Sequence, residues 1–463
     1  MPRVAVLGAG VSGLAAALHV QDESERRGLH LETAIFDRGS RAGGCVQTIQ
    51  DSGYTMELGP DSLLADKPAA RDLLRRLGLE SDLVAMRPEF RGSRIVHHGR
   101  LRPIPSEFRL FTPKSLPALL TSGIFSPAGI ARAAFEPFIP ARTSTDDESL
   151  ASFVTRRFGR EVLDRLAQPL IGGIYSGDPR RLSMRATLPQ FLELERRYGS
   201  LVRAMKDTGA AAPPQLMSLR GGLQSLVDAL AQRIGTPIRG GSELRELAHV
   251  DGAWHIAFTD GSQTQADAVI LALPAYAAAR ALRPLDEPLA AMLERIRYNS
   301  IATVNVAYDA ADLPALPQTP GFVVPFVEGR RIAAATISTQ KYPDRSPQAG
   351  VLLRAFIGGA LQPELVELPD TDLAQIAREE FRDLLGITAQ PNFALTRRWM
   401  RMLPEYGVGH LELVRDIETH TGTHRGLALA GSAYHGVGIP DCVASGRTAA
   451  EQVLAAWEPA KSG

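Results

Sequence analysis

The stretch RVAVLGAGVSG at residues 3–13 decides the fold class of this chain. Its apolar first half predicts a buried strand, Gly8, Gly10 and Gly13 have GxGxxG spacing, and a helix is expected from about Ser12. In such a turn the first glycine permits the tight bend, the second lets the backbone approach a pyrophosphate, and the third allows close helix packing. Free N–H groups at the helix start then face the phosphate charge. The pattern predicts a dinucleotide-binding turn; the alternative is a glycine turn that only packs.

A second strand follows at a distance that suits a βαβ unit. Residues 31–37 have the sequence LETAIFD, and Asp37 lies 24 residues after Gly13, where its carboxylate can accept the ribose hydroxyls. This distance is slightly longer than the roughly 20 residues that the motif usually has, and the loop after the helix can accommodate the extra residues. An export signal is the alternative for an apolar stretch that follows Arg3, but the glycine spacing and the second strand favour the nucleotide-binding interpretation.

Residues 37–44, DRGSRAGG, add a second pattern directly after this strand. Arg41, Gly43 and Gly44 resemble the arginine-plus-double-glycine motif of the glutathione-reductase-like FAD enzymes, in which the chain passes close to the flavin phosphates. Residues 56–64, MELGPDSLL, resemble the segment that runs past the flavin ring and the ribityl chain. Together the two patterns favour FAD over NAD as the cofactor.

The C-terminal region contains a strand, a glycine loop and a helix. Residues 431–446 resemble the segment by which these FAD enzymes bring a helix N-terminus to the pyrimidine edge of the flavin. Backbone N–H groups at Val437, Gly438 and Ile439 would stabilise the negative charge that a reduced flavin carries there. An ordinary glycine loop before an amphipathic helix is the alternative. No cysteine or histidine stands where covalent relatives attach the cofactor, so we expect non-covalent FAD.

Composition limits the classes of function. The chain has 463 residues, 44% of them hydrophobic, which is enough for two or three domain-sized cores. Lys plus Arg and Asp plus Glu both total 51, so no global charge favours nucleic acid or an anionic membrane. Cys45 and Cys442 form no CxxC pair, so neither a disulfide framework nor a metal site is predicted. The apolar stretch at 115–131 is interrupted by proline and glycine, so no transmembrane segment is predicted.

Changes of pattern along the chain predict three parts and an α/β fold class. Residues 1–85, 216–250 and 415–463 are assigned to a discontinuous, glutathione-reductase-like Rossmann FAD-binding domain. Residues 86–215, where prolines separate short helical pieces, predict a helical insertion. Residues 251–414 alternate strand-like segments with Pro- and Gly-rich turns and predict a mixed-sheet substrate domain, some of whose strands return to the FAD domain.

Further segments resemble the porphyrinogen oxidases, flavoenzymes that aromatise a porphyrinogen late in haem synthesis. The resemblance covers nearly the whole chain, and its most diagnostic segments are GGIYSGDPRRLSM at 172–184 and GVGIPDC at 436–442. GPDSLLADK at 59–67 and LPEYGVGH at 403–410 favour the Gram-positive branch, which oxidises coproporphyrinogen, over the branch that oxidises protoporphyrinogen. The chain departs from the family at Asp37, where Glu is commoner, and at Glu405, where the family usually has Gln.

The resemblance implies a set of cofactor and substrate residues. Lys67 and the backbone of Gly173 are implied to face the substrate, and Arg94 and Arg102 are weaker cationic candidates for its propionates. The alternatives are a solvated surface lysine for Lys67 and a core position for Trp399. No catalytic acid or base is evident. The residues assigned to FAD are Gly8, Ala9, Gly10, Val11, Ser12, Gly13, Asp37, Arg38, Arg41, Gly43, Gly44, Cys45, Gly59, Pro60, Asp61, Ser62, Leu244, Trp399, Val437, Gly438 and Ile439.

The implied reaction is the six-electron aromatisation of coproporphyrinogen III in three two-electron steps. Each step removes a hydride from the macrocycle while ring N–H protons are lost, and molecular oxygen is finally reduced to hydrogen peroxide. Oxidation of protoporphyrinogen IX is the alternative within the family. An amine oxidase or desaturase is a second class, but SIATVNVAY at 300–308 lacks the lysine that amine oxidases often place beside the flavin. A non-catalytic flavin or isoprenoid carrier is a third.

The expected partners are small molecules. They are the porphyrinogen and molecular oxygen, and neither nucleic acid nor metal is expected. We expect a cytoplasmic protein whose segment 86–215 makes at most weak peripheral contact with the inner face of the cell membrane. The sequence leaves a homodimer open.

Overall fold

The computed structural model describes residues 1–90, 92–105, 107–114, 116–207 and 215–457. Its β-strands are β1 (Arg3–Leu7), β2 (Glu32–Phe36), β3 (Thr48–Asp51), β4 (Tyr54–Glu57), β5 (Leu63–Leu64), β6 (Leu83–Ala85), β7 (Arg94–His97), β8 (Arg100–Pro103), β9 (Phe108–Arg109), β10 (Thr112–Pro113), β11 (Leu216–Leu219), β12 (Ile238–Arg239), β13 (Leu244–Val250), β14 (Ala253–Phe258), β15 (Gln263–Ala266), β16 (Ala268–Leu271), β17 (Arg297–Asp309), β18 (Gly321–Val323), β19 (Ala334–Ile337), β20 (Gly350–Gly358), β21 (Phe393–Glu405) and β22 (Leu427–Leu429). Its α-helices are α1 (Val11–Arg27), α2 (Pro68–Arg76), α3 (Leu116–Thr121), α4 (Pro127–Ala134), α5 (Leu150–Phe158), α6 (Arg160–Val162), α7 (Gln168–Tyr175), α8 (Met184–Thr187), α9 (Pro189–Tyr198), α10 (Leu201–Asp207), α11 (Gln224–Ile234), α12 (Ala275–Leu282), α13 (Glu287–Glu294), α14 (Ser338–Lys341), α15 (Asp370–Leu385), α16 (His410–Thr421) and α17 (Ile439–Leu454).

A five-stranded parallel sheet has the strand order β12-β2-β1-β16-β22. Its central strand is buried on both faces, as expected of a parallel sheet covered by helices on both sides. Val4 and Val6 pack with the buried residues of α1, α11 and α17, whereas Ala5 and Leu7 pack with α12, α13 and β14. β16 lies within residues 251–414 and pairs with β1, so that range contributes a strand to the five-stranded sheet.

The turn between β1 and α1 requires two of its three glycines for packing. Gly8 has φ +110, and a Cβ on it would lie 2.3 Å from the carbonyl oxygen of Ala272. A Cβ on Gly13 would lie 1.9 Å from the carbonyl oxygen of Gly8. Neither position can accept a side chain without a shift of the backbone, because both clashes are with backbone atoms.

A seven-stranded sheet has the order β21-β17-β20-β19-β18-β7-β8 and is antiparallel except between β18 and β7. All pairings among β17, β18, β19 and β20 are antiparallel. Buried residues of α15, including Phe381, pack with Val304, Val306 and Ile357 of this sheet. The sheet lies next to residues 56–64, because side chains of β17 and β21 contact Leu58, as described below.

Residues 86–215 are only partly helical. β7 and β8 form a hairpin at the edge of the seven-stranded sheet, and its turn uses His98 (φ 49) and Gly99 (φ 70), the pair of positive φ angles typical of a type I′ turn. The neighbouring prolines obscured this hairpin in the sequence. The helices occupy the range from α3 to α10, and their core contains the fully buried ion pair of Arg157 with Glu136. Residues 208–214, which belong to the predicted insertion, lie outside the described residues.

Among the described residues, none of the helices combines the length and the apolar character needed to cross a lipid bilayer. The polar and charged residues of the longest helices account for this. α1, for example, ends in the polar sequence QDESERR, which is incompatible with a hydrocarbon core.

Candidate active site

The glycine turn leaves an open cradle at the start of α1. Gly10 is the N-cap of this helix with φ −71, no side chain caps the first turn, and a Cβ on Gly10 would meet no atom within 4 Å. Gly43 pairs with Gly10 in an isolated parallel bridge and donates its N–H to the carbonyl of Ala9 at 2.8 Å. A Cβ on Gly44 would touch only the Cα of Gly10, at 3.4 Å. Free N–H groups beside this space fit a pyrophosphate.

Asp37 connects the open space at Gly10 to the chain that leads into β13. Its Oδ2 accepts the N–H of Ala9 and its Oδ1 accepts the N–H of Gly39, both at 2.7 Å. Each carboxylate oxygen has further acceptor capacity, so ribose hydroxyls can bind there as well. The carbonyl of Asp37 accepts the N–H of Ser242 at 2.8 Å, two residues before the buried Leu244. Arg38, the next residue, is exposed.

The segment at 58–59 is held by side chains from the seven-stranded sheet. The carbonyl of Leu58 accepts hydrogen bonds from Oγ1 of Thr303 and Nε1 of Trp399, both at 2.7 Å. Nη1 of Arg354 donates to the carbonyl of Gly59 at 2.9 Å. The RAGGC segment lies directly against the same chain, because a Cβ on Gly59 would lie 1.9 Å from the carbonyl oxygen of Cys45.

Asp61 is fixed by two cations. Nζ of Lys341 lies 2.8 Å from its Oδ1, Nη2 of Arg354 lies 3.0 Å from its Oδ2, and Oγ of Ser62 donates to it at 2.7 Å. Burial disfavours the charged form, but the two cations and these hydrogen bonds outweigh it and hold the pKa of Asp61 well below its usual range. Asp61 is therefore a carboxylate at neutral pH and cannot act as an acid there.

The start of α17 carries an ion pair. Gly438 is its N-cap without a side-chain cap, and Oδ1 of Asp441 in the first turn lies 2.7 Å from Nζ of Lys67. The Lys67 side chain is 43% exposed, so solvent screens this pair. Burial, with a smaller contribution from the charge of Asp441, raises the pKa of Tyr175 to about 12.

Tyr406 holds the loop that precedes α17. Its hydroxyl accepts the N–H of Gly436 at 2.8 Å and donates to the carbonyl of Ser432 at 2.6 Å. Burial raises the pKa of Tyr406 far above its ordinary value, so the hydroxyl keeps its proton. The ring stacks on His410 with a centroid separation of 4.0 Å. These two hydrogen bonds therefore hold the loop in place directly before the helix that carries Asp441.

The two cysteines are not reactive thiols. Cys45 is exposed by its surface area, and desolvation by the surrounding protein atoms raises the pKa of its thiol. Burial, with a smaller effect of Cys45, raises the pKa of Cys442 to about 12. Because the thiolate is the reactive form, neither residue suits nucleophilic chemistry at neutral pH.

A cleft lies between α7, β17 and the β18–β20 part of the seven-stranded sheet, and its empty space is about 700 Å³ when the open solvent at its mouth is included. Ile301 connects the cleft to residues 56–64, since this residue lines the cleft and also packs with Leu58 and Trp399. A Cβ on Gly173 would meet no atom within 4 Å, so this position faces open space. The lining residues are Gln168, Pro169, Gly172, Gly173, Ser176, Gly177, Ile301, Val324, Pro325, Phe326, Arg330, Ile332, Ala333, Ala334, Phe356, Gly358, Gly359, Ala360, Leu361 and Gln362.

The end of α7 leaves a carbonyl available at the cleft. The N–H of Ser176 donates to the carbonyl of Gly172 at 2.8 Å, and Ser176 then leaves the helix with φ 49. The N–H of Asp178 is directed to the carboxylate of Glu405 instead. Within the described part of the chain, no backbone donor beyond the helix end closes on the carbonyl of Gly173.

The structure brings some of the sequence-predicted residues together and leaves others apart from the cleft. The residues of the glycine turns, Asp37, the Gly59–Ser62 segment and Trp399 lie in one connected region, and Gly173 lies in the adjoining cleft. Lys67, Arg94 and Arg102 are not among the residues that line the cleft. Sequence reasoning missed Asp441, although it lies inside the quoted GVGIPDC segment. It also missed Arg330, Arg354 and Lys341, which no short motif marks.

This arrangement defines the class of FAD-dependent oxidoreductases, because its helix starts can hold the dinucleotide and a largely apolar cleft adjoins Leu58 and Trp399. The chain belongs to the flavin-containing amine oxidoreductase family, whose model matches residues 11–454. FAD is accordingly its cofactor. The fold is of the mixed α/β type found in that family.

Individual relatives match over almost the whole chain. The coproporphyrinogen III oxidase of Bacillus subtilis (strain 168) is 32% identical over 97% of this chain and 97% of that protein. The chloroplastic protoporphyrinogen oxidase of Nicotiana tabacum is 28% identical over 97% of this chain and 84% of that protein. A solved structure from Exiguobacterium sp. 255-15 has a TM-score of 0.88 and 31% identity and covers 98% of both chains. The resemblance to the porphyrinogen oxidases is confirmed.

Proposed function

We propose that the protein aromatises coproporphyrinogen III to coproporphyrin III, with molecular oxygen as the final acceptor and hydrogen peroxide as a product. The observation that carries this proposal is the largely apolar, glycine-containing cleft beside Leu58 and Trp399. A porphyrinogen has tetrahedral bridging carbons and becomes planar only on oxidation, so the cleft must accept a bulky macrocycle, and Gly173 leaves one of its walls without a protruding side chain. The full-length match to a coproporphyrinogen III oxidase supports the same substrate.

The chain's residues bind, orient and shield the substrate. When bound, FAD supplies the acceptor for a hydride from the macrocycle. The carbonyl of Gly173 orients a ring N–H, and the apolar walls, including Phe356 and Ile332, exclude water from the reacting face. Asp61 is ionised at neutral pH and engaged with Lys341 and Arg354, so it positions residues 58–62 and does not exchange protons there.

We assign the flavin contacts named in the sequence analysis to the non-covalently bound cofactor. The residues beside Gly10 and Gly44 would hold the pyrophosphate, and Asp37 would hold the adenosine ribose. The N–H groups of Val437 to Ile439 would contact the pyrimidine edge. Open space at Gly10, where an added Cβ would meet nothing within 4 Å, supports the first assignment. The uncapped start of α17 supports the last.

The proposed domains follow the sequence boundaries with one adjustment. A glutathione-reductase-like FAD domain comprises 1–85, 216–250 and 415–463, and the substrate domain comprises 251–414. The range 86–215 is an insertion whose helical core runs from α3 to α10, because β7 and β8 belong to the seven-stranded sheet. This division supports a substrate cleft formed between the insertion and the substrate domain.

The decisive experiment is turnover of two substrates side by side by the purified holoenzyme. Anaerobic addition of coproporphyrinogen III should bleach the flavin absorbance, and admission of air should yield coproporphyrin III with peroxide. Protoporphyrinogen IX should react more slowly. A faster reaction with protoporphyrinogen IX would reverse the substrate assignment, and no bleaching by either compound would refute the proposed function.

We also propose a cytoplasmic enzyme with weak peripheral membrane contact through the helical insertion. Exposed apolar side chains on α3 and near the end of α4 support it, namely Leu120, Phe135 and Phe138 with 64%, 58% and 70% exposure. Sedimentation with anionic phospholipid vesicles tests it. The parent should sediment in part and Phe135→Ser/Phe138→Ser should not; equal sedimentation of both would refute the contact.

A further inference from the structure

The cleft has a charged side chain on one of its walls. Of the residues that line the cleft in the described part of the chain, Arg330 alone is charged; the others are apolar, glycine, serine or glutamine. The cationic residues suggested by the sequence, Lys67, Arg94 and Arg102, do not line it. A substrate whose only charges are carboxylates would therefore find a single cation inside this cleft.

Arg330 is held in place from behind. Its Nη1 lies 2.8 Å from Oε2 of Glu380, whose side chain is only 6% exposed, and the other oxygen of Glu380 accepts the N–H of Arg331 at 3.0 Å. Nε2 of Gln362 donates to the carbonyl of Arg330 at 2.9 Å. Nη1 also lies 3.7 Å from Oδ2 of Asp383, so both carboxylates engage the same nitrogen, while an arginine has five N–H donors in all.

The side chain of Arg330 also retains access to solvent. It is 20% exposed. The side chain of Arg354, next to Phe356, is only 3% exposed, and its guanidinium already pairs with Asp61 and donates to the carbonyl of Gly59. Of these two arginines close to the cleft, only Arg330 is exposed enough to meet an incoming ligand. The anchor at Glu380 reduces the entropy that Arg330 would lose on binding.

We infer that Arg330 is the carboxylate-binding, specificity-determining residue of the cleft, which would take a propionate of the macrocycle. The inference rests on the proposed function and names the residue that recognises its substrate class. A planar guanidinium matches a carboxylate through paired N–H donors, which gives orientation as well as affinity. A substrate with more propionates has more ways to present one to Arg330, which favours coproporphyrinogen over protoporphyrinogen.

The test compares two neighbouring arginines. Arg330→Gln removes the charge, and Arg331→Gln is the matched control because Arg331 is 44% exposed, pairs with Glu379 and does not line the cleft. The FAD-loaded proteins are titrated with coproporphyrin III and with its tetramethyl ester, which has the same ring but no carboxylate. Binding is followed by porphyrin fluorescence.

Arg330→Gln should weaken binding of the acid about ten- to a hundredfold, leave binding of the ester unchanged and leave the flavin spectrum intact. Arg331→Gln should match the parent with both ligands. Equal affinity of Arg330→Gln and the parent for the acid would overturn the inference. So would an equal loss for acid and ester, which indicates only a damaged cleft.

A second variant guards against misfolding, because Arg330→Gln leaves Glu380 buried without its cation. Arg330→Gln/Glu380→Gln removes both charges and should show the same selective loss for the acid. Arg330→Lys should recover part of the affinity, since it restores the charge but not the paired donors. Turnover by the parent distinguishes the two failures: a parent that oxidises no porphyrinogen refutes the proposed function, whereas an active parent with an unaffected Arg330→Gln refutes only this inference.

Discussion

Two glycines with open space beside them, Gly10 and Gly173, represent two differently built regions. At Gly10 the space is bounded by backbone from segments within the first 44 residues, and the binding groups are N–H donors of a helix start. At Gly173 the space is bounded by α7 and by strands that lie more than a hundred residues later. The cofactor region is thus a local backbone structure, whereas the substrate region exists only through tertiary packing.

The largest expected effect is that of Gly10→Val. The φ of −71 suits valine and no atom is near an added Cβ, so the chain should fold, but the side chain would occupy the space of the pyrophosphate. We expect protein that purifies colourless, with no FAD released by acid precipitation. Circular dichroism like that of the parent apoprotein is the control. Yellow, active protein would remove the glycine turn from the flavin site and break the comparison.

The next largest effect concerns Asp61, where the two regions meet. Asp61→Asn leaves Lys341 and Arg354 without a buried counter-charge, which should lower the free energy of unfolding by about 3–5 kcal/mol. Denaturant titration of the apoprotein measures it. Asp344→Asn is the control, because its ion pair with Arg220 is about 60% exposed and should be worth less than about 1 kcal/mol.

The same variant carries a pH signature. The pKa of native Asp61 is lowered, so the stabilisation it provides is fully present above the unfolded value of about 4 and is lost as pH falls below that value towards the native pKa. Parent stability should therefore fall more steeply below about pH 4 than that of Asp61→Asn. Parallel acid profiles would show that Asp61 is not ionised in the native protein.

Gly173→Val is the counterpart of Gly10→Val in the substrate region. The added side chain enters the cleft, and overpacking of about 1–3 kcal/mol corresponds to a rise in KM of roughly five- to 150-fold. The flavin content and spectrum should equal those of the parent. Loss of FAD from this variant would mean that the two regions are not separable, and an unchanged KM would move the substrate out of the cleft.

The smallest expected effect is that of Lys67→Ala. Lys67 is implied by resemblance to face the substrate, but in the structure it is half exposed and paired with Asp441. Removing it should cost at most about 1 kcal/mol, or about fivefold in KM. Asp441→Asn should give a change of similar size if the pair acts as a unit. A hundredfold rise for Lys67→Ala alone would restore it as a direct substrate contact.

The comparison also explains what the sequence could predict. The glycine turns, Asp37 and the helix start at Ile439 were predictable because backbone chemistry demands particular residues at fixed spacing. The hairpin of β7 and β8 was missed because nearby prolines suggested helical breaks. Arg330 could not be found, since nothing near it in sequence marks the cleft. Only the pairing of β18, β19 and β20 brings it opposite α7.

The carbonyl of Leu58 links the two regions physically. Both of its donors, Thr303 and Trp399, come from long strands of the seven-stranded sheet, so the chain segment that we propose lies beside the flavin takes its position from the part of the molecule that forms the cleft. An engineer who transplanted residues 1–85, 216–250 and 415–463 as a ready-made flavin module would leave this carbonyl without either donor. The unit that can be exchanged between proteins is therefore the nucleotide-binding turn, and the flavin site as a whole is inherited only together with its substrate sheet.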